Sequence, residues 1–415
     1  MRIQRTLPPA AAPVFVRDAV RGVAGFFATK ARLAKLEADI REYFGVRYVF
    51  LVSSGKAALT LILRALSSLS PRKKVLIPDY TCFSVPSAIR RAGLSVSLCD
   101  IDPTTLDFNY ARLRESLDDQ TLCIVPTHLF GLPSDIARVQ SLAREKQVFV
   151  VEDAAQAMGE TCDGKLLGTH GDVGFVSLGR GKNITCGSGG IILTDSDVIG
   201  SAIRAEYAML KARSIPEKVK TLLEVLAISV FIHPRLYWLP DGLPFLKLGE
   251  TRFSTEFPIS CMDGVAAAIL RDWKERLDLS RRSRSIAARD LARRMPRHMQ
   301  VVRSLPSDEA TYLRLPALAP NAHEKASLLR LSRRAGLGIS ASYPTPIHAI
   351  EEFTLSFSPA DFPGATTVAQ RLVTLPVHHL VHERDRNEIV SLIASAVGST
   401  CTAATQSAAN TSTRQ

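Results

Sequence analysis

Two acids end an apolar run near the middle of the chain. The segment VFVVEDAAQAMG (148–159) has the composition of a buried strand, and Glu152 and Asp153 stand at its end. A carboxylate beside an apolar sheet is costly to bury unless a cation pairs with it. A protonated pyridine nitrogen would be such a cation, and the carboxylate would keep that ring protonated as an electron sink. The alternative is that one of the two acids caps the following helix.

A single lysine follows a second apolar run. In FVSLGRGKNITCGSGG (175–190), Lys182 stands in a glycine-rich loop after Ser177, which could bind a phosphate. An aldehyde cofactor needs an amine that can attack it and later be displaced, and a buried lysine with a lowered pKa can act as nucleophile and proton carrier. The alternative is an exposed loop lysine beside a tight turn.

A third segment, FLVSSGKAALTLIL (50–63), passes from a strand through small polar residues into a helix. Free backbone N–H groups and the helix dipole favour an anion at such a turn, which suits a phosphate. The alternative is an ordinary strand-to-helix turn with Ser53 or Ser54 as the N-cap.

Aromatic and small polar residues follow a fourth apolar run, in KVLIPDYTCFSVPSAIRRAG (74–93). Such residues could stack on a planar cofactor ring. Packing of Tyr80 and Phe83 in the core is the alternative.

These segments lie in a region, residues 47 to 194, where short apolar runs alternate with helical stretches. The alternation predicts an α/β fold with a mostly parallel sheet covered by helices on both faces. Ligands of such sheets bind beyond the carboxyl ends of the strands, where the polar residues above stand. Strands are predicted at 48–52, 74–78, 95–100, 122–127, 148–152, 173–177 and 191–193, and helices at 56–66, 84–92, 109–117 and 134–146.

The whole chain is predicted to divide into four parts. Residues 1–30 form an N-terminal arm, 31–255 the large domain, 256–397 a smaller α+β domain, and 398–415 a disordered tail without enough large apolar residues to offset chain entropy. In the smaller domain, helices are predicted at 262–294, 324–335 and 385–396, and strands at 312–316 and 338–340.

An apolar insertion is predicted at 221–245. Its apolar run is too short to span a bilayer, and Glu224 interrupts it. It is interpreted as a buried helix, a subunit contact or a substrate lid, with contact at a membrane surface as the alternative.

Composition excludes several classes of protein. The 415 residues include 52 Lys and Arg against 40 Asp and Glu, a formal charge of +12, but no zinc-finger spacing or other nucleic-acid motif accompanies the charge, so we expect no nucleic-acid partner. The 7 cysteines show no metal or redox spacing, which predicts buried free thiols and no metal site. No signal peptide is recognised at the N-terminus, so a cytoplasmic location is expected.

Together, in this order and spacing, the segments resemble the DegT/DnrJ/EryC1/StrS family of sugar aminotransferases. The resemblance covers residues 30 to 397, beginning at LAKLEADIREYFGVRYVFLVSSGKAAL and continuing through VSLCDIDPTTLDFN, VPTHLFGLPSDI, GDVGFVSLGRGKNITCGSGGIILTD and, more loosely, LPVHHLVHERD. It implies a three-layer αβα fold of the fold-type I, aspartate-aminotransferase-like class. It also implies pyridoxal 5'-phosphate (PLP) as the cofactor.

The resemblance further implies a role for each matching residue. Asp153 would pair with the ring nitrogen, Gln156 would lie near the 3-hydroxyl, and Lys182 would form the Schiff base with the cofactor. Ser177 would bind the phosphate, together with the turn formed by Ser54, Gly55 and Lys56.

The sequence departs from the family pattern at several positions. Lys56 stands where threonine is usual, and Ser188 stands where glutamate is usual. Cys82 occupies the place of an aromatic residue that often stacks on the cofactor, with Phe83 next to it, so either side chain is a candidate contact of the ring. The asparagine that a second subunit usually lends is not recognisable in residues 253–264.

The resemblance implies a transaminase that moves an amino group from glutamate onto a nucleotide-linked keto-sugar, in surface polysaccharide or secondary metabolite biosynthesis. It also implies a homodimer with active sites at the subunit boundary. One alternative is a PLP-dependent sugar dehydratase of the same family, although such relatives typically have histidine in place of the lysine. Another is a non-catalytic scaffold associated peripherally with the inner membrane face through residues 221–245.

Overall fold

A seven-stranded mixed sheet forms the centre of the large domain, within the residues that this computed structural model describes (5–27, 29–243, 249, 251–303 and 311–396). Its strands, in chain order, are β1 (Tyr48–Val52), β2 (Lys74–Pro78), β3 (Ser95–Cys99), β4 (Thr121–Ile124), β5 (Phe149–Asp153), β8 (Val173–Ser177) and β9 (Gly190–Thr194). A two-stranded hairpin, β6 (Thr161–Cys162) and β7 (Lys165–Leu166), lies between β5 and β8 along the chain.

The order across the sheet is β1-β9-β8-β5-β4-β2-β3. Strands β8, β5, β4, β2 and β3 are mutually parallel, and β9 is antiparallel to both β8 and β1. Strand β1 therefore runs in the same direction as β8. The carboxyl ends of β1, β8, β5, β4 and β2 consequently lie at one edge of the sheet, which we call the strand-end edge.

Helices cover both faces of this sheet. Strand β1 illustrates why: Phe50 and Val52 pack in one core cluster, whereas Val49 and Leu51 pack in another on the opposite face, as the period of two requires. The helices of this domain are α1 (Val16–Val23), α2 (Thr29–Phe44), α3 (Gly55–Leu69), α4 (Ser84–Arg91), α5 (Tyr110–Ser116), α6 (Ile136–Lys146), α7 (Asp197–Ala208), α8 (Ile215–Phe231), α9 (Trp238–Asp241) and α10 (Gly264–Ile269). The fold class predicted from the sequence is confirmed.

The C-terminal part has a sheet and a core cluster of its own. An antiparallel sheet in the order β10-β11-β12 packs with three helices around buried aliphatic residues such as Leu291, Leu315 and Ile389. The elements are α11 (Trp273–Arg294), β10 (Gln300–Val301), β11 (Leu315–Leu318), α12 (Ala322–Ala335), α13 (Pro363–Arg371), β12 (Leu372–Leu375) and α14 (383–396). The predicted domain boundaries stay predictions, and the predicted tail lies outside the described residues.

Several predicted elements of this part differ from the structure. The predicted helix at 262–294 is two helices, because the chain leaves helical geometry at Asp272, with φ −103° and ψ 41°. The strand predicted at 312–316 is instead Leu315–Leu318. The strand predicted at 338–340 reduces to a single bridge between Ser340 and Thr374, since Gly338 has φ +71°, outside the extended region.

The apolar insertion begins earlier than predicted, with helix α8 at Ile215. Thr221 and Val225 face the protein interior, whereas Leu223 and Leu226 on the outer side are exposed. No helix among the described residues is both long and apolar enough to cross a membrane.

Candidate active site

Lys182 lies in the loop between β8 and β9, at the strand-end edge. Its backbone amide donates to the carbonyl of Gly179 at 3.3 Å, and Gly181 closes the turn with φ +71°, a conformation that glycine adopts without strain. Burial lowers the pKa of the Lys182 ammonium; the charge of Asp153 opposes this shift, and that of Arg314 adds to it. The surroundings of Lys182 therefore shift its protonation equilibrium toward the neutral amine.

Asp153 ends β5 at the same edge and is 4% exposed. Its Oδ1 accepts a hydrogen bond from the amide of Ala155 at 3.0 Å, and within the described residues no other hydrogen bond to this carboxylate is found. Burial raises the pKa of Asp153, while Ala155, Lys182 and His128 act in the opposite direction. Among the residues that the structure describes, none forms an ion pair with this carboxylate.

Glu152, its neighbour on β5, has a different environment. Its oxygens accept hydrogen bonds from the backbone amides of Gly168 (2.5 Å), His170 (2.8 Å) and Gly171 (3.0 Å), and the ring of His128 lies 2.8 Å away. Burial disfavours the charge, but His128 and these amides hold the pKa of Glu152 below its ordinary value. Glu152 ties the loop before β8 to the sheet, and neither acid caps a helix.

A cradle for an anion forms where β1 and β8 end. Ser54 is the N-cap of α3, with Oγ accepting from the amide of Ala57 at 3.1 Å, as the alternative to a phosphate site expected. A Cβ atom at Gly55 would lie 3.0 Å from the Cβ and 3.1 Å from the Oγ of Ser177, and one at Gly190 would lie 2.4 Å from the carbonyl of Ser54. These glycines leave the first turn of α3 open beside the Ser177 hydroxyl.

Lys56 and Cys82 lie close to this cradle, whereas Phe83 does not contact it. The Lys56 ammonium sits 4.6 Å from the centre of the Phe257 ring, and burial lowers its pKa. Cys82 lies near enough to both Lys56 and Lys182 to interact with them electrostatically, and its Sγ is 3.7 Å from the Thr251 hydroxyl. Phe83 is 6% exposed and packs in the large core cluster. The assignment of Cys82 or Phe83 as the contact of the ring stays a prediction.

Gln156 is held between the two parts of the chain. Its Oε1 accepts from the amide of Phe130 at 3.3 Å, and its Nε2 donates to the hydroxyl of Tyr343 at 2.9 Å. Tyr343 packs against Phe130 and Tyr80, with ring centres 6.4 and 5.6 Å apart. Sequence reasoning missed Tyr343, and the only sequence signal was an aromatic residue in the proline-rich loop SYPTP.

Three buried polar side chains around these residues lack hydrogen-bond partners in the described part of the chain. Both amide atoms of Asn183 are unpaired although the residue is 1% exposed, and the hydroxyls of Thr81 and Thr127 are unpaired as well. Thr81 follows β2, Thr127 bridges to Asp153, and Asn183 follows Lys182. Unsatisfied groups this buried are uncommon unless a ligand or water completes them. With the glycine cradle, they fit a phosphorylated heteroaromatic cofactor at the strand-end edge.

Comparison with known sequences finds one family across nearly the whole chain. The profile of the DegT/DnrJ/EryC1/StrS aminotransferase family matches residues 17–394. A pleiotropic regulatory protein of Geobacillus stearothermophilus is 25% identical over 363 residues, which are 87% of this chain and 88% of that protein. A GDP-perosamine synthase of Caulobacter vibrioides is 32% identical over 172 residues, or 41% of this chain and 46% of the synthase.

Solved structures share the architecture. A Streptococcus pneumoniae protein solved in its PLP form superposes with a TM-score of 0.72, covering 94% of this chain and 98% of that protein. The two sequences are 18% identical, so this likeness shows the fold alone.

Proposed function

The chain belongs to the DegT/DnrJ/EryC1/StrS aminotransferase family, and on that premise we propose that it uses PLP to move an amino group from glutamate onto a nucleotide-linked keto-sugar. The product would enter a surface polysaccharide or a secondary metabolite. The observation that carries this proposal is the presence of a half-buried Lys182 and a buried, weakly hydrogen-bonded Asp153 at one edge of the sheet, near enough for their charges to interact. The GDP-sugar named in the perosamine synthase supports a sugar substrate.

The residues of the site match the parts of the cofactor. The phosphate would lie at the first turn of α3, where the amides around Gly55 and the Ser177 hydroxyl converge and the helix dipole favours an anion. The ring nitrogen would face Asp153, whose carboxylate has few competing hydrogen bonds. When bound, PLP supplies the electron sink that stabilises negative charge on the substrate carbon.

Lys182 and Asp153 would then have different roles in proton transfer. Burial lowers the pKa of the Lys182 ammonium, which favours the neutral amine that would take and return a proton at the substrate carbon. Asp153 would hold a proton on the ring nitrogen by its negative charge, and that contact would in turn remove the desolvation penalty of the carboxylate.

The dehydratase alternative fits less well because Lys182 is present where such relatives typically have histidine. A scaffold without catalysis would have no use for a buried carboxylate with few hydrogen bonds, since burying its charge without a ligand is unfavourable.

Covalent labelling tests the proposal. Purified protein supplied with PLP is expected to be yellow, and borohydride should fix the cofactor to Lys182, as read by peptide mass spectrometry. Lys182→Ala should abolish the label, whereas Lys165→Ala, at an exposed hairpin position, should keep it. A label on another lysine, or none in protein loaded with PLP, would reject the assignment.

A further inference from the structure

Arg314 enters the site from the C-terminal part of the chain, directly before β11. The preceding residues lie against the large domain: the amide of Leu313 donates to the carbonyl of Phe130 at 2.7 Å. A Cβ atom at Gly131 would lie 2.9 Å from the carbonyl of Thr311 and 3.3 Å from the Leu313 nitrogen. Arg314 is half-buried and close enough to Lys182 for its positive charge to lower the lysine pKa.

Arg314 has few partners for its five N–H donors. Nη1 donates to Ser340 Oγ at 3.3 Å, and no other hydrogen bond or ion pair with a carboxylate is found for it within the described ranges. The hydroxyls of Tyr343 and Tyr237 also interact with it electrostatically, and its positive charge lowers the pKa of Arg284 as well as that of Lys182. A half-buried guanidinium with unused donors is a site for an anion.

Arg284, the second buried arginine nearby, uses most of its N–H donors within the protein. Its Nε donates to Ser280 Oγ at 2.9 Å, its Nη1 to the carbonyl of Leu313, and its Nη2 to the carbonyls of Ala11 (2.8 Å) and Lys182 (3.4 Å). Arg284 therefore joins the N-terminal arm, the Lys182 loop and the segment before β11. It joins the segment before Arg314 to the Lys182 loop, and four of its five N–H donors are used within the protein.

We infer that Arg314 binds the α-carboxylate of the amino-acid donor and of the 2-oxo acid formed from it. This inference rests on the proposed function and names the group that would hold its first substrate. A planar guanidinium matches a carboxylate with two parallel hydrogen bonds, and the unused donors of Arg314 can supply both.

Chemistry selects the carboxylate over the other anion of the reaction, the diphosphate of a nucleotide sugar. In an amino acid the α-carboxylate is attached to the same carbon that carries the exchanged amine. The protein cation that binds this carboxylate must therefore lie close to Lys182. In a nucleotide-linked keto-sugar, several ring atoms separate the ketone carbon from the diphosphate. The cofactor phosphate would have its own cradle at Gly55 and Ser177.

Calorimetric titration with glutarate, which has neither an amine nor a ketone and cannot react, tests this site. Arg314→Gln should weaken glutarate binding about tenfold or more, because a charge-assisted pair is lost. Arg314→Lys should lose part of the affinity, since an ammonium cannot form the two-bond pair. Arg330→Gln, an exposed position on α12, should bind glutarate as the wild-type protein does.

Titration with UDP separates the two anions. Unchanged UDP affinity in Arg314→Gln supports the carboxylate assignment. Normal glutarate binding in this variant, or a loss confined to UDP, overturns it. Borohydride labelling of Lys182 in the same preparations reports separately on the proposed function, and thermal unfolding shows whether Arg314→Gln is folded. If Arg314→Gln is not folded, the glutarate affinity of Arg314→Lys decides the question. Full affinity in Arg314→Lys rejects the inference.

Discussion

Asp153 and Glu152 are adjacent carboxylates whose pKa values shift in opposite directions. Glu152 is held charged by three backbone amides and His128, so its oxygens are occupied within the protein. Asp153 has one amide partner, and burial raises its pKa. A cationic ring nitrogen beside Asp153 would restore its charge, which is why we assign the cofactor contact to this acid and a structural role to its neighbour.

Asp153→Asn removes the charge while keeping the shape of the side chain. We expect folded protein with transamination reduced about 100-fold or more, because the ring would no longer be held protonated. Single-turnover reaction with glutamate, followed by absorbance, measures the effect. The matched control is Asp163→Asn at an exposed position with φ +49°, where asparagine is tolerated. Near-normal turnover in Asp153→Asn would remove the proposed role.

Helix α8 and the residues after it connect the insertion to the active site. Glu224 forms an ion pair with Arg180 at 3.5 Å, and a Cβ atom at Gly187 would lie 3.1 Å from a methyl of Val225. Both contacts fall on the Lys182 loop. Tyr237, beyond the helix, interacts with Arg314. We therefore propose that this segment covers the substrate entrance, with membrane contact as the competing hypothesis.

Replacing Leu226, Ile228 and Phe231 with serine tests whether this segment covers the substrate entrance. The substitutions remove apolar area from α8, so we expect a several-fold higher KM for the sugar substrate and weaker dimerisation, with no change in sedimentation with anionic liposomes. Leu355→Ser, at a fully exposed residue elsewhere, serves as the control. A variant that keeps its KM and its dimer but loses lipid binding would favour the membrane hypothesis instead.

The outer surface of the whole molecule has an apolar area formed by α1 and α8. The two helices pack together, since a Cβ atom at Gly22 would lie 2.9 Å from Leu222. Val20, Val23 and Leu223 on this surface are 64%, 50% and 59% exposed. Clustered exposed apolar side chains mark contact surfaces, and dimers are typical of the family. We propose that a second copy of the chain covers this area.

Light scattering should therefore show a homodimer. Val20→Glu combined with Leu223→Glu should yield monomers, because burying two charges in the contact is unfavourable. Val198→Glu, at an equally exposed valine of α7, should stay dimeric. A fully active wild-type monomer would contradict both the dimer and shared active sites.

Acid should weaken the attachment of the N-terminal arm to the C-terminal part. His378 Nε2 donates to the carbonyl of Pro8 at 2.9 Å, and burial holds its pKa well below 6.5. Burial likewise lowers the pKa of His379 to about 4. At pH values between the folded-state pKa of each histidine and its unfolded-state pKa of 6.5, the unfolded chain binds more protons than the folded one. The stability is thus fully present above pH 6.5 and is lost as the pH falls.

Urea unfolding measures this loss. From His379 alone we expect the free energy of unfolding to fall by about 2 kcal/mol between about pH 7 and about pH 5. His379→Asn should reduce the difference, and His323→Asn, at an exposed position of α12, should leave it unchanged. Equal pH dependence in all three proteins would show that His379 is not the group responsible.

The sequence by itself determined the strand-end edge and most of the proposed site. Apolar runs with short-range periodicity predict strands directly, and β1, β2, β5 and β8 lie within two residues of their predicted bounds. Because strands that run in the same direction end at the same edge, Ser54, Asp153, Ser177 and Lys182 had to come together once the sheet was parallel. The order of the motifs along the chain was enough to identify the family.

Only the tertiary structure decided which groups complete that edge. Arg314 and Tyr343 reach it from the C-terminal part, and Arg284 joins three distant segments through backbone carbonyls. No local pattern marks such residues, because a contact across more than a hundred residues depends on how whole elements pack. The different roles of Glu152 and Asp153 have the same origin: their chemistry is alike, and only the hydrogen bonds made by the folded chain distinguish them.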